Sequence, residues 1–263
     1  MKFLILRRIT QISILVLFVI ANFYGVKILS GDLSSSIVFG KVPLSDPFAV
    51  LQIFIAGLSV SVNAVIGALI VFAFYAVIAP RVFCSWVCPV NLLTDIAFKL
   101  KNKFGFKGER MLIMSKNLRY FMLVLSLVLS FMLAQPAFEA ISYIGIIQRG
   151  VIFSASSAIG VAIGIIAFDV FVAGRGICGH LCPLGAFWAL ASKFSLIRVK
   201  HDEEACTKCM KCKLVCHEVQ VLGLIGKQSG FVSSSECISC GRCIDVCGDE
   251  ALKFSIRNLR REK

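Results

Sequence analysis

Hydrophobic positions run in long blocks through the first 200 residues and break into short segments afterwards. A helix needs ~20 predominantly apolar residues to cross a hydrocarbon core. Four stretches meet that length: roughly Ile9 to Leu29, Asn63 to Ala79, Leu118 to Gln135 and Val151 to Ala173. The third and fourth are almost free of charge, with only Arg119 and Asp169 near their ends. The second is the near end of a longer apolar run that opens at Asp46-Pro47. From Pro47 to Ala79 is too long for one straight crossing, because each residue rises ~1.5 Å against a core of ~30 Å. The pattern therefore predicts an interfacial or re-entrant helix over Pro47 to Gly57 leading into the second span, with Gly57 and Asn63 as breaks. A fifth full span is the rival, and it would carry the C-terminal tail to the opposite side.

Composition agrees with this reading. Of 263 residues, 58% are hydrophobic, which places the chain among integral membrane proteins. Its net charge of +13 is unevenly spread. Basic residues cluster at Lys2, Arg7 and Arg8, from Arg81 to Arg119, and after the fourth span, whereas the loops Ser30 to Asp46 and Pro136 to Gly150 hold only Lys41 and Arg149. Lys27 can snorkel from the outer end of the first span. The positive-inside rule then orients the chain as a multi-pass membrane protein with both termini cytoplasmic. The high charge is thus a topology signal, and a nucleic-acid partner is excluded because no recognition motif accompanies it. The first apolar run exceeds the 7–15 residues of a signal-peptide core and lacks an A-x-A site, so a retained helix is expected. The basic run Lys99 to Lys116 reads as a solvated loop beside the lipid.

From His201 onward the chain is balanced in charge and rich in cysteine. Cys206-x2-Cys209-x2-Cys212-x3-Cys216 is repeated as Cys237-x2-Cys240-x2-Cys243-x3-Cys247. This is the bacterial ferredoxin spacing, in which three close thiolates cap one 4Fe–4S cube and the fourth serves the other. The expected ligand sets are Cys206, Cys209, Cys212 and Cys247 for one cluster, and Cys237, Cys240, Cys243 and Cys216 for the second. Zinc would need paired C-x2-C units with longer gaps. A disulfide framework does not suit so regular a segment.

The other four cysteines form an internal repeat. Arg81-x2-Cys84-x3-Cys88-Pro89 recurs as Arg175-x2-Cys178-x3-Cys182-Pro183, each copy at the cytoplasmic end of a span. On a helix, positions i and i+4 share a face, so each pair could present two sulfurs together. Four thiolates side by side suit a third cluster or another soft-metal site. Two pairs of buried, reduced cysteines are the plainer alternative. The two arginines would offset thiolate charge.

Two C-x3-C-P motifs after the second and fourth spans, followed by a two-cluster tail, resemble the NapH/MauN family. The phrases Cys84-Ser-Trp-Val-Cys88-Pro89-Val-Asn and Cys178-Gly-His-Leu-Cys182-Pro183-Leu-Gly-Ala-Phe carry the resemblance. It implies a membrane-bound quinol dehydrogenase subunit of the periplasmic nitrate reductase system. Such a subunit oxidises menaquinol or ubiquinol and passes electrons to a periplasmic iron–sulfur partner of the NapG type, and on to the nitrate reductase. The alternative is a non-catalytic accessory, maturation or regulatory membrane iron–sulfur protein. His217 and Gly248 stand where the ferredoxin pattern has proline after the fourth cysteine.

The expected architecture is an all-α polytopic membrane domain over residues 1–200, with four transmembrane helices and the interfacial or re-entrant helix. A small α+β two-cluster ferredoxin-like domain follows over residues 201–263. None of the spans contains a histidine, so haem b has no axial ligands and is excluded. His180, inside the second C-x3-C-P, is a candidate for taking a quinol proton or standing beside the cysteines. Trp86, Tyr75 and Trp188 fit an interfacial aromatic belt. Asp169 caps the end of its helix or pairs with Arg175. No nucleotide fingerprint is present.

Overall fold

The computed structural model describes residues 2–25, 28–104, 115–153, 156–172 and 174–257. Lys27, Ala173 and the middle of the Lys99 to Lys116 run lie outside the described residues. In chain order the helices are α1 (Lys2–Tyr24), α2 (Pro47–Ile55), α3 (Val62–Ile78), α4 (Val82–Trp86), α5 (Val90–Lys103) and α6 (Leu118–Leu133). They continue with α7 (Ala137–Ala140), α8 (Tyr143–Phe153), α9 (Ser157–Ala167), α10 (Pro183–Ala191), α11 (Lys211–Val215) and α12 (Arg242–Asp245). Wider π-type turns occupy Phe168–Val172 and Ile177–Leu181. Two compact units result. One comprises Met1–Thr10, Ala73–Val87 and Trp188–Lys263, and the other Gln11–Phe72 and Cys88–Phe187.

The second of these units holds most of the apolar helices. α1 is the one helix among the described residues that is long and apolar enough to cross a membrane. It begins at Lys2 and stops at Tyr24, because Gly25 turns the chain at φ 65° and Leu29 already belongs to a strand. α3 and α6 have 17 and 16 residues. At ~1.5 Å per residue that falls short of a ~30 Å core. α2 matches the expected short helix. Asp46 caps it by accepting from the Phe48 N–H at 3.0 Å, Pro47 fills its first turn, and Gly57 ends it at φ 75°. Asn63 lies inside α3 and breaks nothing. Gln52 is fully buried, and its Oε1 accepts from the Phe138 N–H at 2.8 Å and the Ser130 hydroxyl at 3.4 Å, tying α2 to α6 and α7. Phe48 packs on Phe138 and Phe187 beside it.

Two expectations for this region need correction. The loop from Ser30 to Asp46 is not featureless, and the unit is not all-α: β1 (Leu29–Gly31), β2 (Ser35–Val38) and β3 (Val42–Ser45) form an antiparallel sheet in the order β1-β2-β3. The β-branched Ile37, Val38 and Val42 flank a tight turn at Phe39 and Gly40, both left-handed at φ 51° and 67°. The stretch Pro136 to Gly150 is likewise helical. Val151 falls in the last turn of α8 rather than opening a span, and α8 packs against α9 after a serine-containing turn. Serine competes for backbone hydrogen bonds and so interrupts an apolar helix.

The other unit contains the tail. β4 (Ile197–His201) pairs antiparallel with both β5 (Gly230–Phe231) and β6 (Leu252–Ile256), giving the order β5-β4-β6. β4 therefore runs across residue 200. Its core gathers Val199, Val221, Leu222, Ile225, Val232 and Leu252 with Cys212 and Cys243. The end of α3 belongs to the same unit, where the Leu196 N–H donates to the Val77 carbonyl at 2.8 Å. Trp188 is not part of an exposed belt. It is 2% exposed and packs edge-on against Tyr75, with Phe83 against both rings.

Candidate iron–sulfur site

The two cysteine runs share an unusual backbone. Lys208 and Met210 in the first run, and Ser239 and Gly241 at the matching places in the second, are all left-handed, at φ 57°, 58°, 50° and 71°. Each left-handed residue reverses the chain, and together they curl the run so that its sulfurs converge. Short helices α11 and α12 follow directly and pack against each other. One cavity is lined by Cys206, Cys209, Cys212 and Cys247, together with His201 and Asp249. A second is lined by Cys216, Cys237, Cys240 and Cys243, together with His217 and Glu218. The fourth cysteine of each run thus sits with the first three of the other.

Four soft sulfur donors around one cavity suit a cubane cluster. Among the described residues no group of three or more His, Cys, Asp or Glu is drawn together tightly enough for a single metal ion. Burial pushes the Cys216 thiol up to about 12 and the Cys237 thiol up to about 11, and crowding by Cys240 adds to both. Cys243 is also raised well above the ordinary thiol range, by burial first and then by Cys240 and Cys237. Iron binding to these thiols must displace their protons. Arg198 and Arg81 oppose the shift at Cys237. Arg198 is itself 1% exposed and donates to the carbonyls of Lys193, Val232 and Ser233.

The two C-x3-C-P motifs also match each other in the backbone, since Arg81 and Arg175 are both left-handed, at φ 46° and 60°. The expected helical i, i+4 face does not form. Cys88 lies beyond the end of α4, and Cys182 is extended at φ −77°, ψ 110°. A residue before proline is excluded from helical geometry by the ring, so Pro89 and Pro183 fix both second cysteines outside a helix. Cys88, Cys178 and Cys182 all lie near enough to the buried phenol of Tyr143 to act on it electrostatically, Cys182 most strongly. Cys84 belongs to the other unit. The two arginines have diverged. Arg81 pairs with Glu218 at 3.4 Å and Glu236 at 3.5 Å, while Arg175 lies over the Phe98 ring at 4.1 Å. Asp169 accepts from the Ile177 N–H at 3.3 Å, capping the turn that carries Cys178. His180 is half-buried within that turn.

Several lining residues escape a sequence reading. His201 is completely buried, with Nδ1 2.9 Å from the Gln228 carbonyl, and lines the first cavity. His217 was visible only as the residue in the place of a proline. Tyr143, Arg198 and the Arg81 partners leave no local signal, because their contacts come from distant segments.

This arrangement defines an iron–sulfur protein of the two-cluster ferredoxin type, built for electron transfer. A family described as a 4Fe-4S dicluster domain matches residues 198–248, and one described as a 4Fe-4S binding domain matches residues 60–107 and 155–201, taking in both C-x3-C-P motifs. The ferredoxin-type protein NapH of Haemophilus influenzae is 41% identical over 97% of this chain and 90% of its own length. NapH of Escherichia coli is 35% identical over 97% and 90%. The methylamine utilization ferredoxin-type protein MauN of Methylorubrum extorquens is 37% identical over 96% and 88%. The chain belongs to the NapH/MauN family of ferredoxin-type proteins. No solved structure matches it.

Proposed function

We propose that this protein is a membrane electron-transfer subunit that oxidises menaquinol or ubiquinol and delivers the electrons to a periplasmic iron–sulfur protein of the NapG type. Periplasmic nitrate reductase would be the terminal acceptor. The observation that carries the reading is the sorting of eight tail cysteines into two cavities of four, joined to a chain of NapH relatives. Cys206, Cys209, Cys212 and Cys247 would hold one 4Fe–4S cluster, and Cys216, Cys237, Cys240 and Cys243 the other. When bound, each cluster accepts one electron, so a pair divides a two-electron donor into single steps. The chain's own part is to bury the thiols, place cationic Arg198 and Arg81 beside Cys237, and exclude water from the core around Cys212 and Cys243. Cys88, Cys178 and Cys182, which share one unit, would contribute thiolates to a further centre.

A membrane setting is supported by exposed apolar side chains along the helices. Leu69, Phe74, Phe121, Phe131, Met132, Ile159 and Ile163 are all more than half exposed. Patches of this kind on several helices would be insoluble in water and suit lipid. We read α1, α3, α6 and the run from Ser157 to Val172 as the four spans of an inner-membrane protein. Both termini, and with them residues 201–263, would lie in the cytoplasm.

Anaerobically purified protein should carry about eight irons per chain from two cubanes in the tail, with broad absorbance near ~400 nm. Cys240→Ser should lose about half of the tail iron and stop menaquinol-dependent reduction of the periplasmic partner. Full activity in a protein with both Cys209→Ser and Cys240→Ser would overturn the reading.

A further inference from the structure

The two tail cavities are not equivalent. Around the first, the C-x2-C loop is tied within the tail: the Thr207 N–H and hydroxyl both donate to Asp249, at 3.1 and 2.6 Å. Cys209 there is exposed, and nearby Leu214 is 79% exposed. The corresponding loop of the second cavity, from Cys237 to Cys240, is held instead by the segment Pro80 to Trp86, which carries Cys84.

That attachment is dense. The Ser85 hydroxyl donates to the Ile238 carbonyl at 2.6 Å, and the Trp86 indole N–H donates to the Ser239 carbonyl at 3.0 Å. In return the Ser239 hydroxyl donates to the Pro80 carbonyl at 2.9 Å. Arg81 Nη1 donates to the Glu236 carbonyl at 3.1 Å, and its ion pairs with Glu218 and Glu236 close the contact. The Arg81 and Glu218 side chains are 2% and 4% exposed. A buried ion pair adds little net stability, but it enforces one geometry because a misplaced partner leaves a charge stranded. Ile238 and Ser239 are the two residues between Cys237 and Cys240, so the bonded carbonyls belong to the cluster-binding loop itself.

We propose that the Cys216, Cys237, Cys240 and Cys243 cluster is the port through which electrons pass between the tail and the Cys84 segment, with Ser85, Trp86 and Arg81 as its positioning residues. The inference rests on the reading of these cysteines as ligands given above, and goes beyond it by ordering the clusters. The step moves one electron and no proton. Quinol, the reductant, would give up two electrons and two protons and leave as quinone; the protons would pass to solvent, and the two tail clusters would each be reduced by one electron, the first electron entering and the second passing on through the port. Tunnelling falls steeply with separation, so bonds that pin one peptide loop against the other hold the transfer distance fixed. The cluster at Cys209 then exchanges electrons with the membrane segment only by way of the port.

Ser85→Ala and Trp86→Phe, made singly and together in the full chain, test the proposal in a redox titration followed by electron paramagnetic resonance without any quinone. The signal and midpoint potential of the cluster that Cys240→Ser abolishes should move, while those of the cluster that Cys209→Ser abolishes stay in place. Equal movement of both, or of neither, overturns the proposal. A second measurement uses dithionite-reduced protein in lipid nanodiscs mixed with decylubiquinone. In Cys209→Ser protein the remaining tail cluster should reoxidise at the native rate. In Cys240→Ser protein the remaining cluster should reoxidise more slowly by about tenfold or more. Equal rates overturn the port. If decylubiquinone fails to reoxidise even the native protein, the quinol reading falls, and the port stands or falls on the titration.

Discussion

Asp46 combines two roles that pull against each other. As the cap of α2 it accepts the Phe48 N–H, yet burial pushes its carboxyl up to about 7, with nearby Glu139 adding repulsion. Glu139 is itself raised by burial, against the opposing effect of the Ser34 hydroxyl and Arg149. A carboxyl raised in the folded state binds its proton more tightly there than in the unfolded chain. Its stabilisation is therefore full below the unfolded value and fades as pH rises through about 7. The apparent melting temperature of the native protein should fall over that window. Asp46→Asn keeps a good cap and should flatten the fall; an unchanged slope would refute the assignment. Gly241 gives a second case. It sits at φ 71°, and a Cβ there would lie 2.6 Å from the Phe3 side chain. Gly241→Ala should destabilise by about 1–3 kcal/mol, read as a lower denaturant midpoint with the native slope. The grouping of the tail cysteines could be anticipated from the sequence because a ferredoxin run fixes its sulfurs by local spacing. Arg81 could not be understood that way, since Glu218 and Glu236 lie 137 and 155 residues further along.

At the scale of elements, the apolar pattern locates helices well and their ends poorly. α3 and α6 start within a residue of the expected points, because unbroken apolar runs leave the chain few alternatives. The β1-β2-β3 sheet was missed, since Phe39 is a non-glycine residue in a left-handed turn and its strands are only three or four residues long. In the C-x3-C-P motifs the i, i+4 spacing suggests a shared helical face, but the proline biases the cysteine before it away from helix. Within its unit, α2 is anchored through one buried amide. Gln52→Leu would leave the Phe138 N–H and the Ser130 hydroxyl without that acceptor. A loss of about 1–3 kcal/mol is expected, measurable by thermal unfolding in detergent. Gln52→Glu should be worse above neutral pH than below it, because ionising a carboxyl at this fully buried site strands a charge, whereas the protonated form keeps a carbonyl acceptor and a donor. Equal stability of Gln52→Leu and native protein would show that the bond is idle.

For the molecule as a whole, orientation in the membrane is the decisive question. Alkaline phosphatase fused after Lys263 should be inactive if the tail is cytoplasmic, and a fusion in the β1-β2-β3 segment should be active. The reverse pattern would invert the proposed arrangement. One feature of the tail reaches back to the start of the chain. The Phe3 and Leu4 N–H groups, which a helix start leaves without internal partners, donate to the Asp245 carboxylate at 3.2 and 3.0 Å. Burial pushes that carboxyl up, but the two donors prevail and hold it below its usual range. Ribosomes make α1 first and Asp245 more than 200 residues later. Throughout translation, then, the opening turn of α1 waits for a cap that arrives only after the second cysteine run has been synthesised. Its completion marks the moment at which a finished tail, folded around Cys237 to Cys247, has returned to the first helix.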